Sequence, residues 1–299
     1  MLPFLAAHST LSVLMQSLFQ HRYAAHGQFS MGPKTERAMH LATYLVQGSS
    51  YLEPRAYALL HREHHAFADT ENDPHSPVHQ TDPGRMMWRT KERYEDYAHR
   101  RKEPEARFLG RYPEWPLIDR TLGQSWTMRV LWGAAYTAVY ARFATRPWHF
   151  ALLPLHWVMG PLHGAIVNWC GHKYGYRNFE STDASRNTLP MDVLCMGELF
   201  QNNHHRFPMS PNFAARRFEV DPTWQVMRVL RRLGVITLTT PQRAVYTAPV
   251  AAGGTGAAAA PRQGLWSRVR GLARAVTRRP AVALPPRAPL AEPLRAAAA

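Results

Sequence analysis

Three runs of histidine supply the residue types from which a metal site is built. His61-Arg62-Glu63-His64-His65 is central, with His21 and His26 upstream and Gln201-Asn202-Asn203-His204-His205 downstream. On a helix, residues at i, i+3 and i+4 share one face, so His61, His64 and His65 can aim their rings at a common point. One such run is a weak signal, because neutral imidazole is only a potential ligand. Three runs at related spacings point to a metal. Asn168 and His172 stand at i and i+4 and can join the same site.

His21, His26, His61, His64, His65, His172, His204 and His205 make eight imidazoles, twice what one tetrahedral ion uses, so the set implies two ions. Nitrogen and oxygen donors without thiolate suit iron, manganese or zinc. A dinuclear imidazole site lying partly in a membrane suits redox chemistry with O2, for which zinc has no second oxidation state. The two cysteines, Cys170 and Cys195, exclude a disulfide scaffold and a cysteine-based zinc or iron–sulfur site. No GxSxG elbow, Rossmann pattern or P-loop is present, so reducing equivalents must come from a separate donor.

The elements that position these residues read as helices. Residues 1–20 are mostly apolar, lack Lys and Arg, and reach the ~20 residues of a membrane span, without the basic start of a signal peptide. Between 38 and 60 the apolar pieces are interrupted by Gly48-Ser-Ser and Glu53-Pro54-Arg55, which suits helices at the interface or packed on the bundle. Residues 66–125 are polar and belong to the aqueous side, with an amphipathic helix expected over Trp88–Arg100. Residues 126–145 and 147–170 suit a hairpin that crosses the bilayer and returns, with Arg129 and Arg142 near the ends of its first arm, where long side chains can snorkel, although Arg142 and Arg146 on the outer side offend the positive-inside rule. A pair of buried helices in a soluble protein is the alternative. If the outer histidine runs are to meet the central one, the chain between them crosses an even number of times, as one hairpin does. His149, His156 and His163 recur every seven residues and read as hydrogen-bonded interior histidines.

The net charge of +15 and pI near 10.4 imply a polyanionic surface as partner. No nucleic-acid-binding motif accompanies them, so anionic lipid is expected and nucleic acid is not. The chain divides into a domain over 1–246 and an Ala/Pro/Arg-rich disordered tail over 247–299. Within the tail, residues 264–279 place Leu265, Val269, Leu272 and Val276 on one face. They read either as a basic interfacial helix or as a helical fluctuation.

HxxxxH at 21–26, HxxHH followed by DPHSP at 61–77, NWCGHKYGY at 168–176 and GELFQNNHHRFP at 197–208 resemble the membrane fatty-acid desaturases of the acyl-CoA delta-9 (stearoyl-CoA) type, in order and spacing, over about residues 10–235. The resemblance implies an all-α integral membrane bundle with about three to four spanning helices and a cytosolic helical cap that holds a non-heme di-iron site. It implies iron ligation by the eight histidines named above, with Asn168 acting on iron through water. Gln201 stands where many members have a ninth histidine, and there it would hydrogen-bond a ligand or bound water. The implied reaction uses O2 as co-substrate and two electrons from a separate ferredoxin-like donor to place a cis double bond in a long-chain acyl-CoA or acyl-lipid. The expected location is a bacterial inner membrane with the site facing the cytoplasm. About 20 residues precede His21, room for one helix where the family has two, so the start lies further upstream or a helix is missing. Hydroxylation of the same chain is an alternative activity, and a non-catalytic metal-binding or truncated membrane protein is an alternative of another class.

Overall fold

The computed structural model of the protein describes residues 1–240 and is predominantly helical. Helix α1 (Leu2–Met15) runs directly into a π-helical stretch, Gln16–Ala25. Then follow β1 (Phe29–Ser30), α2 (Pro33–Gln47), α3 (Pro54–Phe67), α4 (Pro83–Ala98), α5 (Trp126–Phe143), α6 (Leu153–Trp157), α7 (Met159–Lys173), α8 (Gln201–Arg206), α9 (Pro222–Arg232) and β2 (Thr237–Leu238). The expected domain boundary near residue 246 and the amphipathic helix at 264–279 lie outside the described residues.

Local sequence explains where the helices start. Proline stands in the first turn of α2, α3, α4 and α9, where its missing N–H costs nothing. The side chains of Asp82, Ser125 and Asp221 accept backbone N–H bonds at the starts of α4, α5 and α9. Helix α4 therefore begins at Pro83, ahead of the amphipathic segment expected from Trp88.

The helix Leu2–Ala25 is long and apolar enough to cross a membrane. Pro147–Trp157 with Met159–Lys173 is a second such segment if this pair, bent by 72°, is one span. The break falls at Val158 because Pro161 has no N–H to offer the Trp157 carbonyl. The returning arm of the hairpin is thus two helices, and α5 with Arg129 and Arg142 does not meet the same apolar standard.

The break also separates the three histidines that the seven-residue spacing placed in one stripe. His156 is hydrogen-bonded as expected. His8 Nε2 lies 2.7 Å from the Val46 carbonyl, which can only accept, so His8 Nδ1 accepts from His156 Nδ1 at 2.7 Å and His156 Nε2 accepts from the Tyr140 hydroxyl at 2.9 Å. This chain fixes both tautomers and joins α1, α2, α5 and α6. His163 stands apart from it, against the cavity described below.

The remaining framework holds the histidine-bearing segments together. Ala24 and Ala25 pack on Ala58, so the π-helix and α3 approach closely. Arg22 and Asp221 form a fully buried ion pair at 2.9 Å, which ties the first helix to the start of α9. Strands β1 and β2 pair antiparallel, Phe29 with Leu238 and Ser30 with Thr237.

Candidate metal centre

The HxxxxH run is delivered by the π-helix. In an α-helix of about 3.6 residues per turn, a five-residue step lands about 140° around the axis and would point the two rings apart. With i→i+5 bonding the fifth residue returns to nearly the same side. The His26 N–H donates to the His21 carbonyl at 3.1 Å, and the two ring centroids are 4.9 Å apart.

All five residues of the central run have assigned work. His61, His64 and His65 face inward from α3. Arg62 turns the other way and donates to the Ala25 carbonyl at 2.8 Å and the Ala24 carbonyl at 3.0 Å, satisfying the open end of the π-helix. Glu63 accepts from Arg93 at 2.8 Å and Tyr97 at 3.0 Å, which anchors α4. Helix α7 supplies His172, and the short α8 supplies His204 and His205. Just before α8, Gly197 takes φ +91° against the Asp221 carboxylate, where a Cβ would lie 2.5 Å from an oxygen. That turn sets Glu198 beside His21.

The eight predicted histidines converge as two adjoining groups, His21, His26, His61, His65 and His204 in one and His64, His172 and His205 in the other. Within each group the candidate ligand atoms lie within 4.8 Å of one another. His65 and His205 bridge the groups at 4.6 Å between centroids. In the first group the Nε2 atoms follow one another: His21 to His204 at 3.1 Å, His204 to His65 at 2.9 Å, His65 to His61 at 3.0 Å and His61 to His26 at 2.8 Å.

Carboxylates fix the protons on the outer nitrogens. Nδ1 of His64, His172 and His205 donates at 2.8 Å to Asp73, Asp69 and Asp183, respectively, and Nδ1 of His21 faces Glu198. With Nδ1 protonated, the Nε2 of each ring carries a lone pair. His64 and His205 then direct two lone pairs at each other across 3.2 Å, and Nε2 of His172 is buried without a hydrogen-bond partner. Such an arrangement is repulsive until a cation lies among the lone pairs. The spacings match neighbouring donors on one ion at metal–nitrogen distances of about 2.1 Å. The donor set therefore fits a pair of imidazole-bound metal ions, with carboxylates outside that set the ring tautomers.

Electrostatics agree with that fit. Burial, and then the neighbouring imidazoles, hold His61, His65 and His204 well below the ordinary histidine value, so their rings are neutral and ready to ligate. Burial lowers His205 to about 4, with its bond to Asp183 acting in the opposite sense. Burial pushes the Asp69 carboxyl up, but the bond and charge of His172 together with the bonds from Ser76 and the Ala184 N–H outweigh it and leave Asp69 at about 2.

Asn168 and Gln201 lie beside the centre but contribute no atom to either imidazole group. The Asn168 amide donates to the Gly164 carbonyl at 2.8 Å and that of Gln201 to the Glu198 carbonyl at 2.6 Å. Sequence reasoning did not identify Asp69, Asp73, Asp183 and Glu198, nor His75, whose buried ring lies 4.6 Å from that of His64. The segment ADTENDPHSP directly after the central run held the signal for three of these five. Asp183 lies in a loop whose acidic residue looks like any other in the sequence.

A cavity of about 620 Å³ is lined by His21, His61 and Glu198 and by the exposed Trp88, Trp126 and Trp157. It is predominantly lined by apolar atoms and reaches the imidazole centre.

The model of the fatty acid desaturase family matches residues 1–230. Among relatives, a delta-9 desaturase-like 5 protein of Arabidopsis thaliana is 27% identical over 232 residues, covering 76% of this chain and 72% of its own length. The sn-1 stearoyl-lipid 9-desaturase of Anabaena variabilis is 30% identical over 241 residues, covering 73% and 75%, and the acyl-CoA 5-desaturase AL21 of Anemone leveillei is 27% identical over 242, covering 78% and 69%. The chain belongs to the fatty acid desaturase family. It is therefore an oxidoreductase, and the resemblance read from its histidine runs is upheld.

Proposed function

We propose that this protein is an O2-dependent di-iron desaturase that places a cis double bond, at the delta-9 position, in a long-chain acyl substrate carried on CoA or a lipid. The observation that carries the reading is the pair of adjoining imidazole groups with carboxylates on their outer nitrogens, opening onto an apolar cavity. His21, His26, His61, His64, His65, His172, His204 and His205 would hold the two ions, with Asn168 and Gln201 acting through water or ligand orientation. Bound iron supplies the O2-derived oxidant needed to remove hydrogen from an unactivated methylene pair.

The protein's own contribution is position. A methylene chain offers no polar handle, so the carbons that react are those the cavity wall sets beside the centre. Asp69, Asp73 and Asp183 keep the Nδ1 protons in place and so keep the Nε2 lone pairs inward. Glu198 does the same for His21, while Ser17 donates to its carboxylate. The apolar walls exclude water from the reacting carbons.

The membrane reading is supported by the apolar Leu2–Ala25 helix and by exposed Val130, Leu131, Phe143, Trp148, Leu155 and Leu162 on α5 to α7. We place the protein as a helical bundle in a bacterial inner membrane, the histidine-bearing cap facing the cytoplasm, with a separate ferredoxin-like donor. The test is expression in a desaturase-deficient host with fatty-acid profiling. A new cis-monoenoic acid is expected. A hydroxy acid would replace desaturation by hydroxylation, and no product with a competent donor and adequate expression would overturn both.

A further inference from the structure

We propose that His75 holds a small exogenous ligand, water or an anion, against the ion bound by His64, His172 and His205. This rests on the two-ion part of the reading above and is independent of the acyl substrate.

The two imidazole groups are unequal, with five rings in the first and three in the second. Three protein donors leave an ion able to take a further ligand. The chain just after α3 is built around this smaller group. One oxygen of Asp73 accepts from His64 Nδ1 at 2.8 Å, and the other accepts from the His75 backbone N–H at 3.0 Å. Ser76 donates at 2.5 Å to one oxygen of Asp69, whose other oxygen accepts from His172 Nδ1. His75 thus stands in the chain between the residues that tie this segment to His64 and to His172. Its ring lies 4.6 Å from that of His64, centroid to centroid, and borders the cavity.

His75 is only 7% exposed, and neither of its ring nitrogens has a hydrogen-bond partner among the described residues. A neutral imidazole offers one donor and one acceptor, and leaving both buried and unmet is costly. Asn168 and Gln201 line the same cavity, but their amides already donate to the Gly164 and Glu198 carbonyls. Direct ligation is not the role of His75, because its nitrogens fall outside the set within 4.8 Å of one another that His64, His172 and His205 form. A polar contact at longer range than a direct bond is completed by a small molecule between the two groups. The unmet donor of His75 is therefore available to whatever small ligand this ion takes from the cavity side.

Azide is the probe, titrated into the oxidised, iron-reconstituted protein and read by its charge-transfer band with iron. Iron content and the Tm of the metal-free protein are measured beside it. His75→Phe and His75→Leu fill the position without a donor, and His75→Gln restores one. Loss of a hydrogen bond to a charged ligand weakens binding by about tenfold or more. The Phe and Leu variants are expected to keep two irons and to bind azide at least about tenfold more weakly, with Gln recovering most of the loss. Because the atoms removed have no partner in the fold, at least one apolar variant should melt, metal-free, no lower than wild type. A Tm lowered in both would show a structural role and overturn the inference. Unchanged azide affinity in the folded Phe or Leu variant overturns it, as does a fall to one iron, which would make His75 a direct ligand. A Gln variant as weak as Phe also overturns it. A wild type that binds two irons and azide but desaturates no acyl probe overturns the desaturase reading alone, whereas one that binds fewer than two irons overturns this inference.

Discussion

Replacing Asp183 by asparagine should impair metal binding without unfolding the protein. One carboxylate oxygen accepts the His205 Nδ1 proton at 2.8 Å. The other accepts from the Ser185 backbone N–H at 3.0 Å and from the hydroxyls of Ser185 at 2.5 Å and Ser181 at 2.8 Å. Asparagine has one acceptor oxygen, and the Ser185 N–H cannot turn away, so that oxygen stays on the serine side. The amide NH2 then faces His205 Nδ1 and draws the ring into the opposite tautomer, with the proton on Nε2. That nitrogen ceases to be a ligand. Loss of a carboxylate behind a metal-bound histidine typically costs about 10- to 100-fold in affinity, or about 1.4–2.7 kcal/mol. The assay is competitive titration of the metal-free protein with Fe(II) under anaerobic conditions, read beside Tm. One of two sites should weaken by that factor, and His205→Ala should weaken the same site at least as far. Equal affinity of wild type and Asp183→Asn at both sites would refute the assignment of Asp183 as the residue that orients His205.

Three further outcomes follow from the framework. Asp221→Ala leaves Arg22 buried with only Glu198, 3.8 Å away, as counter-charge, and should cost about 3–5 kcal/mol, measured as a loss of Tm in detergent; a change within experimental error would mean the pair bears no load. Arg62→Met removes the donors to the Ala24 and Ala25 carbonyls, so Fe(II) stoichiometry should fall with Tm as His26 loses its anchored turn, whereas full stoichiometry would show the π-helix holding without it. Burial raises the Asp192 carboxyl to about 6 against backbone N–H bonds from Leu199 and Cys195. A raised folded value means that its stability contribution is complete below about 3.8 and lost as pH rises through about 6, so wild type should lose roughly 2 kcal/mol relative to Asp192→Asn between pH 4 and pH 7.5. Denaturation at the two pH values measures this, and a pH-independent difference contradicts it.

The convergence of eight histidines was legible because residue type and helical spacing are local properties. HxxHH places three rings on one face of any α-helix, and α3 is one. HxxxxH was less legible, since its five-residue step fits one face only in the π-helix that carries His21 and His26, and no propensity rule announces that winding. Which carboxylate stands behind which ring was not legible. Asp69 and Asp183 reach His172 and His205 across 103 and 22 residues, and a loop aspartate gives no sign of which ring it will meet. The hairpin from 126 to 170 was read from apolar composition, which does not report the break that Pro161 makes at Val158.

The proposed function requires the eight imidazoles to hold two ions at one site. Iron content per chain, measured together with the Mössbauer spectrum of anaerobically reconstituted protein, tests it most directly. Two irons per folded chain in nitrogen-rich surroundings are expected, falling in His64→Ala. A folded wild-type chain that binds one iron or none, or a His64→Ala variant that keeps both, would contradict it.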